Sequence, residues 1–573
     1  MFSSLGVGVF TIVTLCLLVI VSVWLRLVNT TVQDPYLDEV FHYHQAKLFL
    51  QNNFREWNPK ITTPPGLYIL TYVHASLGRI LLGSSTVAVT SLRHLNYDIG
   101  VFCLPYLLGK ILPRLADELD KKYRLASFRS KTKDGLPKIA LGHTVLNICL
   151  FPPLFFFYAL YYTDVSSTLS VLCVYYCHLR GHRKSLVFAG LVSLWFRQTN
   201  IFWTAIFMGG LDLVRSLQKG RRGFEYEASP TFLDVILGSW RHTCIYDESV
   251  HQALFSDYAK SAISVAIAIL SSPWVALRII MPYIILLTAF GSFVIWNGSV
   301  VLGDKENHVA SIHLAQMLYI WPFITFFSLP MLWPWLVNGI VPQQLLPRQL
   351  RFHKVRCHRT AIVVGFGFLG VSLGIVHYNT IVHPFTLADN RHYMFYIFRI
   401  LLSKSLLKYL VVPVYGYCAL AAIAALGGLE STQDFSIQKE LDGVDTKQGE
   451  QALNTRDKPP NITPQGKSVT FVLVWLLTTA LCLVTAPLVE PRYSILAWLF
   501  WRLQLPVLQP LALSQKGSNV RNDAKALWNS AYDHRLILET AWFMFINVVT
   551  GYMFLYKGFE WPQEPGNVQR FMW

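Results

Sequence analysis

Residues 7–28 read VGVFTIVTLCLLVIVSVWLRLV, and Arg26 is the one charged side chain among them. As a helix rising 1.5 Å per residue, a run of that length reaches about 33 Å, enough to cross ~30 Å of hydrocarbon. It has no polar face with which to meet water. Comparable runs recur at 361–382, 407–429 and 469–489. About a dozen crossings are expected, all helical, because an open sheet edge in lipid leaves backbone groups unpaired. The fold class is therefore an all-α polytopic membrane protein, with residues 1–573 as a single integral membrane unit. The first run follows Met1-Phe2-Ser3-Ser4, exceeds a signal-peptide core in length and has no small-residue cleavage site. It reads as a retained signal anchor.

Composition agrees. Hydrophobic residues make up 53% of the chain, aromatics 14% and charged residues only 14%, with a mean hydropathy of +0.39. Soluble domains carry about 25% charged residues, so this chain has too few to clothe itself in water. Its net charge of +16 does not point to nucleic acid, because the cations crowd into a few loops between apolar runs. The positive-inside rule accounts for that distribution. The nine cysteines lie mostly within apolar runs, and neither a disulfide framework nor a zinc site is expected.

Basic clusters at residues 114–133, 180–184, 215–222 and 348–359 are assigned to the cytoplasm. Segments 29–65, 163–164, 197–200, 303–313, 383–393 and 490–493 then share the opposite, lumenal face. Parity requires residues 63–83 to lie along that face as an interfacial helix, since Tyr68, Tyr72, His74 and Arg79 make a poor span. Residues 97–113 would cross with some preceding residues, and 261–278 would be partly re-entrant or interfacial. Residues 29–90 thus form a lumenal loop with interfacial helices. Residues 430–467 are polar and poor in aromatics, a flexible cytoplasmic loop. Trp57, Trp296, Trp321 and Trp333 are expected in interfacial belts.

Asp38 and Glu39 stand at the head of an amphipathic stretch. Acidic residues there can simply complement the helix dipole. Alternatively one carboxylate takes a proton from a substrate hydroxyl.

The stretches YLDEVFHYHQA (36–46) and WNPKITTPPGLYIL (57–70) resemble the eukaryotic dolichyl-phosphate-glucose-dependent α-1,2-glucosyltransferases of asparagine-linked glycosylation. So do WFRQTNIFW (195–203), GDKENHVASIHLAQMLYIWPF (303–323), HPFTLADNRHYMFYIFRI (383–400), EPRYSILAW (490–498) and QRFMW (569–573). The matches follow the family's order over nearly the whole chain. The resemblance implies the multi-helix GT-C architecture in the endoplasmic reticulum membrane, with a lumenal site and the acidic pair Asp38 and Glu39 in the first lumenal loop. It further implies dolichyl phosphate glucose as donor and the diglucosylated dolichyl-diphosphate-linked oligosaccharide as acceptor. Transfer would invert at the anomeric carbon to leave a terminal α-1,2 bond.

A polyprenyl phosphate leaving group needs its charge stabilised more than it needs a proton. Arg492, followed by Tyr493, is the first candidate for that contact, though a snorkelling anchor looks the same in sequence. Arg391 is the next, and Arg197 could serve the phosphate or a loop carboxylate. Gln198, Asn200, Glu306, His308, His313, Asp389, Asn390, His392 and Tyr493 offer the mixed donors and acceptors that sugar hydroxyls require. His308 and His313 are five apart, off the spacing of a helical zinc pair, so neither a metal nor a cofactor is expected. The nearest rival is a related dolichyl-phosphate-mannose transferase. A transporter or channel is a rival of another class, but it would place its charges at midmembrane depth rather than in loops of one face.

Overall fold

The first apolar run becomes α1, Val7–Thr31, whose buried side chains Val13, Leu17, Val21, Trp24 and Val28 recur every three or four residues. Its remaining faces are left for lipid. The computed structural model describes residues 6–82, 88–124, 135–218, 224, 226, 229–306, 311–341, 359–382, 387–404, 406–428, 466–486, 488–506 and 532–573. After α1 come α2, Asp38–Leu50, and α3, Gly66–Leu82. Helix α4, Val89–Asp98, passes through a π turn at Ile99–Cys103 into α5, Leu104–Arg124. Helices α6, Gly135–Cys149, and α7, Pro152–Phe155, lead to the antiparallel pair α8, Thr163–Arg180, and α9, Arg183–Leu194.

Five helices are long and apolar enough to cross a bilayer: Val7–Thr31, Val89–Glu118, Pro273–Asn297, Leu407–Leu426 and Arg535–Tyr556. Two bent pairs raise the number to seven, and Val363–Tyr378, Tyr393–Ser403 and Val469–Leu483 are shorter apolar helices. Against about a dozen crossings expected from the sequence, five to seven among the described residues meet the length and hydropathy of a span, with three shorter apolar helices besides. Prolines and bends divide the apolar runs, as where Gln316–Phe327 meets Leu329–Asn338 at 105°. The crossing expected near 97–113 is part of Val89–Glu118, and α3 is not among the span candidates. Residues 261–278 are no re-entrant loop: they divide between the helix Phe255–Ser271 and the start of the long span Pro273–Asn297.

The core is aromatic. Phe151 stacks flat on Trp498 with ring centroids 3.6 Å apart. The indole N–H of Trp475 donates to the Ala497 carbonyl, and that of Trp501 to the Ala422 carbonyl. Trp321 belongs here rather than in a belt, buried with its ring 5.8 Å from Trp475. Trp296 is 80% exposed at the end of its span, as a belt residue should be. A buried ion pair sits in the same core, with Arg502 donating to both Glu539 oxygens at 2.8 and 2.7 Å. Asn147 adds a third bond to Glu539 at 2.9 Å, so that neither charge is left bare.

Helices α8 and α9 fix the axis of the molecule. Asp164 opens α8 and Arg197 follows α9 at one end, whereas Arg180 and Arg183 flank the turn at the other, about 27 Å away for 18 helical residues. Loops assigned to one face do meet at the Asp164 end. The Gln198 amide donates to the Thr62 carbonyl at 2.7 Å, the Leu302 amide to the same oxygen at 3.1 Å, and the Gly66 amide to Trp195 at 2.8 Å. Two glycines permit this approach: a Cβ on Gly66 would lie 2.5 Å from the Trp195 oxygen, and one on Gly303 would collide with the Pro59 carbonyl. A different group of loops meets elsewhere, where Lys467 pairs with Leu426 and Val250 and Thr470 with Asp247. Most of the 430–467 segment and much of the basic clusters at 114–133, 215–222 and 348–359 lie outside the described residues.

One element breaks the all-helical expectation. Phe559–Trp561 and Glu564–Gln569 form a short antiparallel hairpin after the last span. The chain then runs beside His392 in a parallel bridge through Met572. Tyr36 ties the same end down, donating to the Arg570 carbonyl at 2.8 Å and accepting from its amide at 2.7 Å.

Candidate active site

Helix α2 buries Glu39, His42, Gln45, Ala46 and Phe49, one stripe of a helix. Asp38 starts that helix but leans off the stripe, with 49% of its side chain exposed. The two carboxylates of the acidic pair therefore part company within one turn.

Asp38 accepts from Nη1 of Arg492 at 3.1 Å, while Nε of Arg492 donates to Glu490. One guanidinium thus holds two carboxylates from loops 450 residues apart in sequence. Desolvation raises the Asp38 carboxyl, but the Arg492 charge and hydrogen bond, joined by His42 and His392, together outweigh it and leave Asp38 below the ordinary carboxylate range. Glu490 is held low by the same balance. His42, one turn along from Asp38, lies buried with Nδ1 2.7 Å from the Tyr68 hydroxyl. Burial, reinforced by Arg492 and Arg197 against the pull of Asp38, lowers its pKa to about 4, so it is neutral near pH 7.

Arg197 joins this group from the end of α9. Its Nη2 pairs with Asp164 at 3.0 Å and its Nε donates to Thr163 at 3.3 Å. The Tyr493 ring lies between the two arginines, 5.9 Å from each guanidinium carbon. Two partly exposed cations with donors to spare, beside one accessible carboxylate, can receive an anion and a hydroxyl together.

The other sequence candidates divide by what they already hold. Glu39 is wholly buried and accepts four hydrogen bonds. Arg93 supplies two, at 2.9 and 2.6 Å, and the Tyr36 and Tyr161 amides supply the others at 3.1 and 2.8 Å. Those bonds fill its four acceptor positions. Arg391 is likewise committed: it grips Asp389 through Nε and Nη2 at 2.8 and 2.7 Å, donates to Gln569 and lies over the Trp561 ring. Burial pushes the Asp389 carboxyl up, but the hydrogen bonds from Arg391, with the nearby His392, hold it low. Asn390 accepts from the Trp561 indole at 2.8 Å. Asn200 is buried and bonded to Ser193 and Ser167. Gln198 is spent on Thr62.

His392 stays partly exposed, 3.7 Å from Asp389 and close enough to act on the Asp38 charge. His313 is buried, and neither ring nitrogen has a hydrogen-bond partner among the described residues. Burial lowers its pKa to about 4. Glu306 is exposed on its loop, and His308 lies outside the described residues.

Sequence reasoning missed Arg93 and Glu490 as members of the site, whereas the loop carboxylate it offered Arg197 is Asp164. A signal existed for Arg93. It is a lone cation at the head of a span whose loop was assigned to the lumen, where the positive-inside rule disfavours cations.

These features define a multi-span membrane protein, helical but for one short hairpin, whose acid and guanidinium groups converge from four distant segments at one end of the bundle. The chain belongs to the DIE2/ALG10 family, whose family model matches residues 32–503. It is similar to a protein of Aspergillus fumigatus, 40% identical over 97% of both chains. The Arabidopsis thaliana relative is 31% identical over 97% of this chain and 98% of its own. That of Mus musculus is 29% identical over 95% and 94%. All three are named Dol-P-Glc:Glc(2)Man(9)GlcNAc(2)-PP-Dol alpha-1,2-glucosyltransferase. No solved structure matches the chain.

Proposed function

We infer that this chain transfers glucose from dolichyl phosphate glucose to the diglucosylated dolichyl-diphosphate-linked oligosaccharide, forming its terminal α-1,2 bond. Near-full-length similarity to relatives of one shared name, from fungi to plant and mouse, carries the reading. The site geometry supplies roles. The acceptor 2-hydroxyl attacks the anomeric carbon as an Asp38 oxygen takes its proton, and the bond from that carbon to the phosphate oxygen breaks. The electron pair leaves with dolichyl phosphate. Arg492 and Arg197 meet the growing phosphate charge, a term usually among the largest in catalysis. Tyr493 and His392 serve sugar hydroxyls. Asn390, Asp389 and Arg391 brace the wall through the C-terminal hairpin.

No cofactor is needed in this scheme, because two guanidiniums supply the positive charge and the leaving group is already a phosphate. The enzyme works as a multi-pass protein of the endoplasmic reticulum membrane with its site in the lumen. Membrane lipid supports α3, whose Val73, Leu77 and Ile80 form an exposed apolar stripe.

Full-length protein in lipid nanodiscs, given defined donor and acceptor in chelator, should yield the triglucosylated lipid. Transfer of mannose from dolichyl phosphate mannose, with none of glucose, would overturn the reading.

A further inference from the structure

Glu39 is next to the proposed base, yet it has no lone pair left for a substrate. Its partner Arg93 is as fully engaged. Besides Glu39, Arg93 donates to the Asn29 side chain at 3.1 Å and to the carbonyls of Val32 and Asp34 at 2.7 and 3.2 Å. All five of its N–H groups are thereby used, every one of them on Glu39 itself or within the ten residues that precede it.

Three residues on, along the same face of α4, Asn96 is wholly buried. Its amide donates to the Leu160 and Tyr162 carbonyls at 2.7 and 2.8 Å. That segment leads into Asp164, the partner of Arg197. Glu39 joins the two anchorages by accepting from the Tyr161 amide. One helix face thus holds both the strand that delivers Asp38 and the strand that delivers the Asp164–Arg197 pair.

Leu37, immediately before Asp38, has φ +54° and ψ −125°, a conformation uncommon outside glycine. Such a backbone persists where its surroundings over-determine it, and it clusters at functional sites. Tyr36 on its other side is held through its amide by Glu39 and through its carbonyl by the Tyr162 hydroxyl at 3.2 Å. A buried ion pair adds little stability over apolar residues of equal size, so stability alone does not account for this one.

We propose that Arg93 and Glu39 are a positioning pair, assisted by Asn96, that sets Asp38 against Arg492 and Arg197 for turnover rather than for donor binding. The proposal rests on Asp38 being the base.

The test compares full-length protein in nanodiscs bearing Glu39→Met/Arg93→Met together, Arg93→Lys alone, and each of these with Asp38→Asn. The double replacement removes both charges and keeps volume, but it takes partners from the Tyr36 and Tyr161 amides and the Val32 and Asp34 carbonyls, so its thermal unfolding midpoint should fall while donor KM stays near wild type. Its kcat should fall about 100-fold, the cost of misplacing a reacting group by about 1 Å. Adding Asp38→Asn to it should then cost far less than in the native chain, because the two act as a unit. A double variant with native kcat, or one in which Asp38→Asn costs its full factor, overturns the proposal. If the double variant does not fold, Arg93→Lys decides. Lower kcat at unchanged donor KM, with a smaller Asp38→Asn effect, supports positioning; native kcat, or equal loss of both parameters, overturns it. Asp38→Asn that is harmless in the native chain sinks the base assignment and this proposal together. Asp38→Asn that is harmful beside a fully active double variant sinks this proposal alone.

Discussion

Asp38 and Glu39 are separated by one peptide bond, and each faces a guanidinium, but their pairs differ in almost every physical respect. Asp38 is half exposed, touches Arg492 through one nitrogen at 3.1 Å, and shares that cation with Glu490. Glu39 is buried with Arg93, both at 0% exposure, bonded through two nitrogens and capped by two backbone amides. The first pair can be opened by an arriving phosphate or hydroxyl, because each member keeps unused capacity. The second cannot be opened without stranding a buried charge, which costs several kcal/mol. Adjacent acids of the same type are thus divided between chemistry and geometry by which side of the helix they take.

The comparison breaks most directly at Asp38. Asp38→Asn keeps the shape and loses the proton-accepting charge, so kcat should fall by about 10²–10⁴-fold with donor binding retained. Purified variant transferring glucose at the native rate would make Asp38 as structural as Glu39. Next in size is Arg492→Ala, expected to cost roughly 2–5 kcal/mol of transition-state binding for a desolvated phosphate contact. Arg492→Lys should fall between the wild type and the Ala variant, since an ammonium keeps the charge but cannot fork onto phosphate oxygens. Steady-state kinetics against donor concentration measure both, and native kinetics for the Ala variant would return Arg492 to a membrane anchor.

The smallest expected effect lies in the pH profile. Asp38 is active when ionised and is held below the ordinary range, so activity should stay level on acidification down through the ordinary carboxylate range. Arg492→Gln removes the charge that holds it there, and the acid limb should move up. His42, held near 4 by burial, should leave no inflection at about pH 6.5. An inflection there that vanishes in His42→Gln would transfer the proton-accepting role to His42.

Legibility from sequence followed the range of the forces involved. Arg492 and Asp38 were marked by chemistry in loops of one face, and the structure brings them into contact. Arg391, Asn200 and Gln198 carry side chains equally suited to a substrate, but their hydrogen bonds go to Asp389, Ser193 and Thr62. No local pattern shows that an arginine's donors are already spent. Trp321 read as a belt residue for the same reason: its partner Trp475 is 154 positions away.

The sequence by itself determined that this chain lives in a bilayer as helices, because hydropathy over some 20 residues is a local sum that needs no partner. It also determined the family, through motifs that keep their order along the whole chain. Which carboxylate stands open and which is locked, and which arginine keeps donors in reserve, was decided by tertiary structure alone. Those outcomes depend on where Arg93, Glu490 and the C-terminal hairpin arrive in space. Hydrogen-bond capacity is finite, and only the folded chain shows who has already used it.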